Sequence, residues 1–257
     1  MRLDQFLVKH KEVDSRTKAQ DLIEKGHVYL SDPASGSKQT LRKSSFDVTD
    51  EIQLYIHIDA NELSKYVSRA GLKLEGALKH TGLDVMFKYI LDLGQSTGGF
   101  TDCLLQNGAR KVIGVDVGSG QLHDKLLGHP QVISIENLNI KEIANNEQFQ
   151  KTTQVNLFDI IVGDVSFISL TKFIQFAEPF LKPSGFYLLL VKPQFECGPE
   201  YLDKNGVVQD SAIYEKVEND IINHCQRVFG GHLDYFESSI KGKDGNREFF
   251  IYGQKTK

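Results

Sequence analysis

Four ionisable residues fall where a proton-transfer centre could assemble: Lys73, Asp164, Lys192 and Glu248. Asp164 closes the apolar run 158–163, Lys192 closes 188–191 just before a proline, and Glu248 opens the run 249–252. Individually, each is more often a solvated charge at a strand end, and Lys73 has the look of a lysine snorkelling from an apolar stripe. Two features argue for chemistry. The stem of Lys192 follows Leu188-Leu-Leu-Val and is expected to be dry, and Asp164 is expected on the neighbouring strand. A lysine takes a proton from a weak nucleophile such as a hydroxyl only as the neutral amine, which costs an ordinary lysine roughly 4 kcal/mol near neutral pH. Burial and a second ammonium favour the neutral form, whereas carboxylates oppose it. Asp164 and Glu248 are therefore expected to orient the two lysines.

The electrophile must sit beside these groups, and one stretch is suited to hold it. Asp92-Leu-Gly-Gln-Ser-Thr-Gly-Gly-Phe100 joins a short apolar strand to a helix that ends near Asn107-Gly108. Such a turn presents free backbone N–H groups to a polar ligand. The next strand, Lys111-Val-Ile-Gly-Val, ends in Asp116, 22 residues past Gly94, where an acid can accept hydrogen bonds from ribose hydroxyls. A dinucleotide fingerprint would need glycine at position 96, and Ser96 stands there. A nucleoside with a small polar tail fits better than a diphosphate, and S-adenosylmethionine is such a ligand. Its contacts are expected from Asp92, Gly94, Ser96, Gly98, Gly99, Phe100, Asp116 and Val117, with Leu138 and Asn139 at the end of the following strand, 132–135. Methyl transfer to a ribose hydroxyl would then use the lysine–carboxylate set.

These residues need a scaffold that gathers strand ends. From residue 68 onward strands and helices alternate, the signature of a parallel sheet covered on both faces, and ligands on such sheets bind at the carboxyl ends of the strands. Strands are expected at 89–91, 111–116, 132–135, 158–164 and 185–192, with helices over 169–181 and 211–229. The stretches 232–240 and 247–252, joined by the polar turn 241–246, predict a terminal antiparallel hairpin. This α/β arrangement resembles the Rossmann-like S-adenosylmethionine-dependent methyltransferase fold rather than a dehydrogenase.

Residues 1–58 read as a separate small α+β module, followed by a polar linker over 59–67 and a second domain over 68–257. Leu3, Phe6 and Leu7 mark one helix, while Ala19, Leu22 and Ile23 mark another that Ser15 can cap and Gly26 can end. Strands are expected at 27–30 and along the alternation Ile52, Leu54, Ile56, Ile58. The module is rich in Lys and Arg up to Lys43, which on charge alone reads as a solvated face. The 257-residue chain has a net charge of −4, so any nucleic acid must bind a local basic patch. Cys103, Cys197 and Cys225 have no paired spacing, and neither a disulfide nor a metal site is expected. No secretory leader is visible and no apolar run approaches the ~20 residues that span a bilayer, so a soluble cytoplasmic protein without a membrane partner is expected.

Two resemblances sharpen these expectations. Arg2-Leu-Asp-Gln-Phe-Leu, Ser15-Arg-Thr-Lys-Ala and Glu24-Lys-Gly-His-Val-Tyr-Leu resemble the alpha-L RNA-binding domain, which implies RNA contacts from Arg2, Arg16, Lys18 and Lys25. Ser68-Arg-Ala-Gly-Leu-Lys-Leu, the turn 92–105, Gly114-Val-Asp-Val-Gly-Ser-Gly-Gln-Leu, Asp164-Val-Ser-Phe-Ile-Ser-Leu and Val191-Lys-Pro-Gln-Phe-Glu together resemble the TlyA family, also labelled hemolysin A, of FtsJ-like ribose methyltransferases. The resemblance implies 2′-O-methylation of cytidine in ribosomal RNA, a Lys73-Asp164-Lys192-Glu248 tetrad, and Arg69 on the RNA path. Ribosomal RNA or ribosomal subunits are the implied partners. Gln95 departs from the small residue usual in the family's turn, and Glu136-Asn-Leu-Asn replaces Glu-Arg-Thr-Asn. A catalytically silent RNA-binding protein and a membrane-lytic hemolysin are the alternatives.

Overall fold

The computed structural model describes all residues except 11, 12, 14, 33, 34, 59–64, 154–156, 243 and 244, and the side chains of 54 and 153. The chain forms two compact units, Met1–Lys65 and Tyr66–Lys257. Most of the stretch expected as a linker, 59–64, lies outside the described residues. Tyr66 and Val67 belong to the second unit, where Tyr66 is buried and the Val67 N–H donates to Asp102 Oδ2 at 2.8 Å.

The first unit packs α1 (Leu3–His10) and α2 (Arg16–Glu24) on a three-stranded antiparallel sheet of order β2-β1-β3. The strands are β1 (Val28–Ser31), β2 (Lys38–Thr40) and β3 (Ile56–Ile58). Leu3, Phe6, Leu7, Ala19, Leu22 and Ile23 close its core. Ser15 caps α2 by accepting the Lys18 N–H, and Gly26 leaves the helix at φ +80°. The strand expected over 52–58 is shorter: Gln53–Tyr55 is a 3₁₀ turn, and only Ile56–Ile58 pair with β1. Ile52 and Ile56 are four apart, a spacing that fits a helical turn as well as a strand. Strand β2 carries no apolar residue, so periodicity could not reveal it.

The second unit is a seven-stranded sheet of order β6-β5-β4-β7-β8-β10-β9. Its strands are β4 (Tyr89–Leu93), β5 (Lys111–Val115), β6 (Val132–Ile135), β7 (Phe158–Gly163), β8 (Leu181–Val191), β9 (Leu233–Glu237) and β10 (Phe249–Gln254). Strands β6, β5, β4, β7 and β8 run parallel, and β10 runs antiparallel between β8 and β9. Successive residues divide between two cores, as the pleat requires. Ile90, Val112, Ile160, Leu188 and Phe250 face α3 (Ala70–Thr81) and α4 (Gly99–Gln106). Leu91, Ile113, Ile161, Leu189 and Ile251 face the opposite layer, built from α5 (Glu147–Thr153), α6 (Ile174–Ala177) and α8 (Ser211–Val228). The short α7 (Pro193–Glu196) follows β8 directly.

The helix expected over 169–181 is broken into a 3₁₀ turn (Leu170–Lys172), α6 and a second 3₁₀ turn (Glu178–Phe180). Pro179 lacks the N–H a continuing helix would need, and Glu178 before it passes into the second 3₁₀ turn. Strand β8 starts at Leu181, earlier than expected, and its register with β7 slips between Phe158 and Ile160 around Pro183 and left-handed Ser184. Among the described residues, no helix is long and apolar enough to cross a membrane and no cluster of three metal-ligating side chains occurs.

Candidate active site

Strand register brings the tetrad together. Asp164 follows Gly163 at the end of β7, and Lys192 follows Val191 at the end of the adjacent β8. Val191 pairs with Phe249, so Glu248 lies across the antiparallel ladder from Lys192. Lys192 Nζ is 2.6 Å from Asp164 Oδ1 and donates to Ser166 Oγ at 2.7 Å. Lys73 reaches in from α3 and pairs with Glu248 Oε2 at 2.5 Å. All four side chains are largely covered, so both ion pairs sit in a setting where charge–charge interactions are stronger than in water.

A cleft of about 140 Å³ joins this cluster to the glycine turn. Its walls are Ser68, Ala70, residues 94–97, Gly99, Phe100, Asp164, Ser166 and Lys192. The turn leaves β4 through left-handed Gly94 (φ +76°), Ser96 (φ +47°) and Gly98 (φ +89°). At Gly98 a Cβ would also strike Leu126 Cδ1 at 2.3 Å, so both space and φ demand glycine there. A larger cleft, about 290 Å³, lies at the opposite ends of the strands around Lys88 and Lys182. Of its two acids, Asp84 and Asp159, the latter is already bound by Lys182 Nζ and the Tyr89 N–H and serves the fold.

The residues expected to meet a cofactor divide into two groups. Asp116 reaches the turn itself: Oδ2 accepts the Ser96 N–H at 2.8 Å and Oδ1 the Gly118 N–H at 2.7 Å. Each oxygen keeps a second lone pair for a ligand hydroxyl. Val117 beside it is 68% exposed. By contrast, the side chains of Asp92 and Leu138 lie in the core, while Phe100, though buried, also lines the cleft. Asp92 Oδ2 accepts the Thr101 hydroxyl at 2.6 Å, and burial pushes its pKa up to about 7, against the Thr101 hydrogen bond and with help from the charges of Asp164 and Asp116. The Asn139 side chain is engaged as a cap, accepting the Lys141 N–H at 3.0 Å.

Gln95 does not fill the cleft with its amide. Its side chain is buried, its Nε2 donates to Thr101 Oγ1 at 2.9 Å, and it packs into the notch left by Gly114. Gln95, Thr101 and Asp92 form one chain of hydrogen bonds beneath the turn. The larger residue is thus absorbed by the missing side chain one strand away.

In the first unit, Arg2 and Arg16 converge on one acid. Asp4 is wholly buried and accepts from Arg2 Nε and Nη2 at 3.1 Å, Arg16 Nε at 2.8 Å and Gln20 Nε2 at 3.0 Å. The Arg2 guanidinium, with Arg16 and Gln20, holds the Asp4 carboxyl well below the usual carboxylate range despite its burial. The arginine side chains remain about half exposed. Lys18 is half-buried near the start of α2, whereas Lys25 pairs with Asp21 along it. Arg69 is exposed one helical turn before Lys73.

Comparison with known proteins decides the family. The model for the FtsJ-like methyltransferase matches residues 66–255, and the S4 domain model matches residues 1–31. The chain belongs to the FtsJ-like methyltransferase family. It is 40% identical over 252 residues to "Hemolysin A" of Brachyspira hyodysenteriae, covering 98% of this chain and 99% of that one. It is 35% identical over 261 residues to the "23S rRNA (cytidine-2'-O)-methyltransferase TlyA" of Campylobacter jejuni, covering 98% of both. A solved structure from Streptococcus thermophilus, titled as a proposed hemolysin, superposes with a TM-score of 0.72 at 33% identity, covering 100% of this chain and 88% of that one.

Three features of this FtsJ-like chain escaped sequence reasoning. Asp4 sits among the apolar positions of α1, and a buried acid there requires a cation, a signal that Arg2 and Arg16 could have supplied. Ser166 was visible only as part of a motif, because its contact with Lys192 spans two strands. Phe167 is 88% exposed with φ +64°, next to Ser166 and 5.1 Å from the Phe195 ring. A bulky residue held exposed in the left-handed region is costly, and nothing in its sequence neighbourhood announces it.

Proposed function

We propose that this protein transfers a methyl group from S-adenosylmethionine to the 2′-hydroxyl of a cytidine in ribosomal RNA, acting on ribosomal RNA or subunits in the cytoplasm. The observation that carries this reading is the single cleft shared by the glycine turn and the Asp164–Lys192 pair. The residues fit the cofactor: the turn lines the cleft, Asp116 has lone pairs for ribose hydroxyls, and exposed Val117 offers an apolar face for a base. S-adenosylmethionine, when bound, supplies a methyl group on a positively charged sulfur. Lys192 Nζ takes the proton of the ribose hydroxyl as that oxygen attacks. Asp164 fixes the position of Lys192, and Glu248 does the same for Lys73. The S4 unit contributes affinity through Arg2, Arg16, Lys18 and Lys25, with exposed Arg69, at the start of α3, as a further RNA contact.

The test is incubation of the protein with labelled S-adenosylmethionine and ribosomal subunits from cells lacking the gene, followed by mapping of the label. Label on a ribose 2′-oxygen is expected, and cofactor binding without label would overturn the reading. Lys192→Ala should abolish transfer while changing cofactor affinity by less than about twofold. Equal loss of both would remove Lys192 from the role of base.

A further inference from the structure

We propose that Ser166 is a positioning residue that fixes Lys192 Nζ at the wall of the cleft; this rests on the methyl-transfer reading above. Nζ donates a hydrogen bond to Ser166 Oγ at 2.7 Å, whereas Asp164 Oδ1, 2.6 Å away, is its ion-pair partner outside hydrogen-bond geometry. The carboxylate draws Nζ to the end of β7, and the Ser166 hydroxyl adds the directional contact that fixes where Nζ sits.

Asp164, Ser166 and Lys192 line the same cleft as the glycine turn, so Nζ is held where a ligand of that cleft can reach it. The bookkeeping of the proton agrees with this geometry. The hydroxyl proton passes to the neutral Nζ, the new O–CH3 bond replaces the S–CH3 bond, and Lys192 becomes an ammonium still hydrogen-bonded to Ser166.

Ser166 is itself held in place from Lys192's own segment. Four residues past Lys192, Glu196 accepts the Ser169 hydroxyl at 2.6 Å and the Leu170 N–H at 2.8 Å. The stretch 164–170 is thereby tied to the stretch 192–196 at both ends, by Lys192 at one and Glu196 at the other. This double attachment keeps Oγ of Ser166 within reach of Nζ.

The experiment compares Ser166→Ala, Ser166→Thr and wild type by single- and multiple-turnover methyl transfer on ribosomal subunits, with cofactor affinity measured separately. Ser166→Ala should lower kcat roughly tenfold, the loss of one hydrogen bond that orients the base, with KM for RNA and cofactor affinity unchanged. Ser166→Thr, which keeps the hydroxyl, should restore most of the rate. A wild-type rate in Ser166→Ala overturns the inference. So does a parallel loss of kcat and cofactor affinity that threonine fails to rescue, because that is the signature of a collapsed loop. If the wild type transfers no methyl group at all, the functional reading fails, which is a distinct outcome from either of these.

Discussion

Replacing Asp92 with Asn should make the methyltransferase unit more stable above neutral pH. Asp92 is fully buried, and its pKa rises from 3.8 to about 7 because burial penalises the carboxylate. Its Oδ1 finds no hydrogen-bond partner among the described residues, as expected of a group that is better protonated than charged. The folded chain then holds a proton that the unfolded chain releases between pH ~4 and ~7, and the linkage relation makes stability fall as pH rises through that window. About three pH units at 1.36 kcal/mol each amount to about 4 kcal/mol, present in full below pH ~4 and gone above pH ~7. Asn keeps an oxygen for the Thr101 hydroxyl, now 2.6 Å away, and cannot ionise. Calorimetric melting of the full chain from pH 5 to 9 reads the difference. Near pH 5 the variant should melt close to wild type, and at pH 8 it should melt higher, by roughly 2–4 °C per kcal/mol gained. Parallel curves across the range would refute the assignment of Asp92 as a buried, proton-bearing support of the turn.

Three further perturbations test other parts of the molecule. Asp4→Asn should weaken RNA binding several-fold although the chain becomes more positive, because Arg2 and Arg16 lose the acid that aims them; tighter binding in an anisotropy titration would contradict this. Asp4 titrates below the ordinary carboxylate range when folded, so its stabilisation of the first unit is present above pH ~4 and fades as pH drops below that, visible as acid-induced loss of helix signal that Asp4→Asn lacks. Gly114→Ala places a Cβ 2.0 Å from the Gln95 amide carbon and should lower cofactor affinity about tenfold, with Gln95→Ala in the same chain restoring it; an unaltered calorimetric titration would show that the turn tolerates the displacement. Phe167→Ala should leave thermal stability unchanged but raise KM for ribosomal subunits about tenfold if a nucleobase stacks on the exposed ring, and an unchanged KM would dismiss that role.

Much of the scaffold was readable from sequence, because buried parallel strands are short apolar runs and helices carry their own start and stop residues. The pairing of Asp164 with Lys192 was readable for the same reason: in a parallel sheet the carboxyl ends of strands meet, so the two converge wherever β7 and β8 are neighbours. Less visible were features decided by distant partners. Strand β2, Lys38–Thr40, exists because β1 offers it hydrogen bonds, and no apolar pattern marks it. Gln95 looked like an obstacle in the turn until Gly114 on β5 provided room for it.

The three acids near strand ends show where the limit lies. In sequence, Asp92, Asp116 and Asp164 each close a short apolar strand and look interchangeable. Parallel register separates them. Leu93 pairs with Val115 and with Gly163, so Asp116 and Asp164 stand one step beyond their strands, level with the glycine turn. Asp92 stands one step before Leu93, level with Gly114 and Val162, where the sheet and α4 cover it. A difference of two residues along the strand therefore converts a group that can touch a ligand into one that carries a proton under the turn. Asp116 binds the amides of Ser96 and Gly118, Asp164 holds Lys192, and Asp92 accepts the Thr101 hydroxyl. Register between parallel strands is set by the packing of both sheet faces at once, information that no single strand contains.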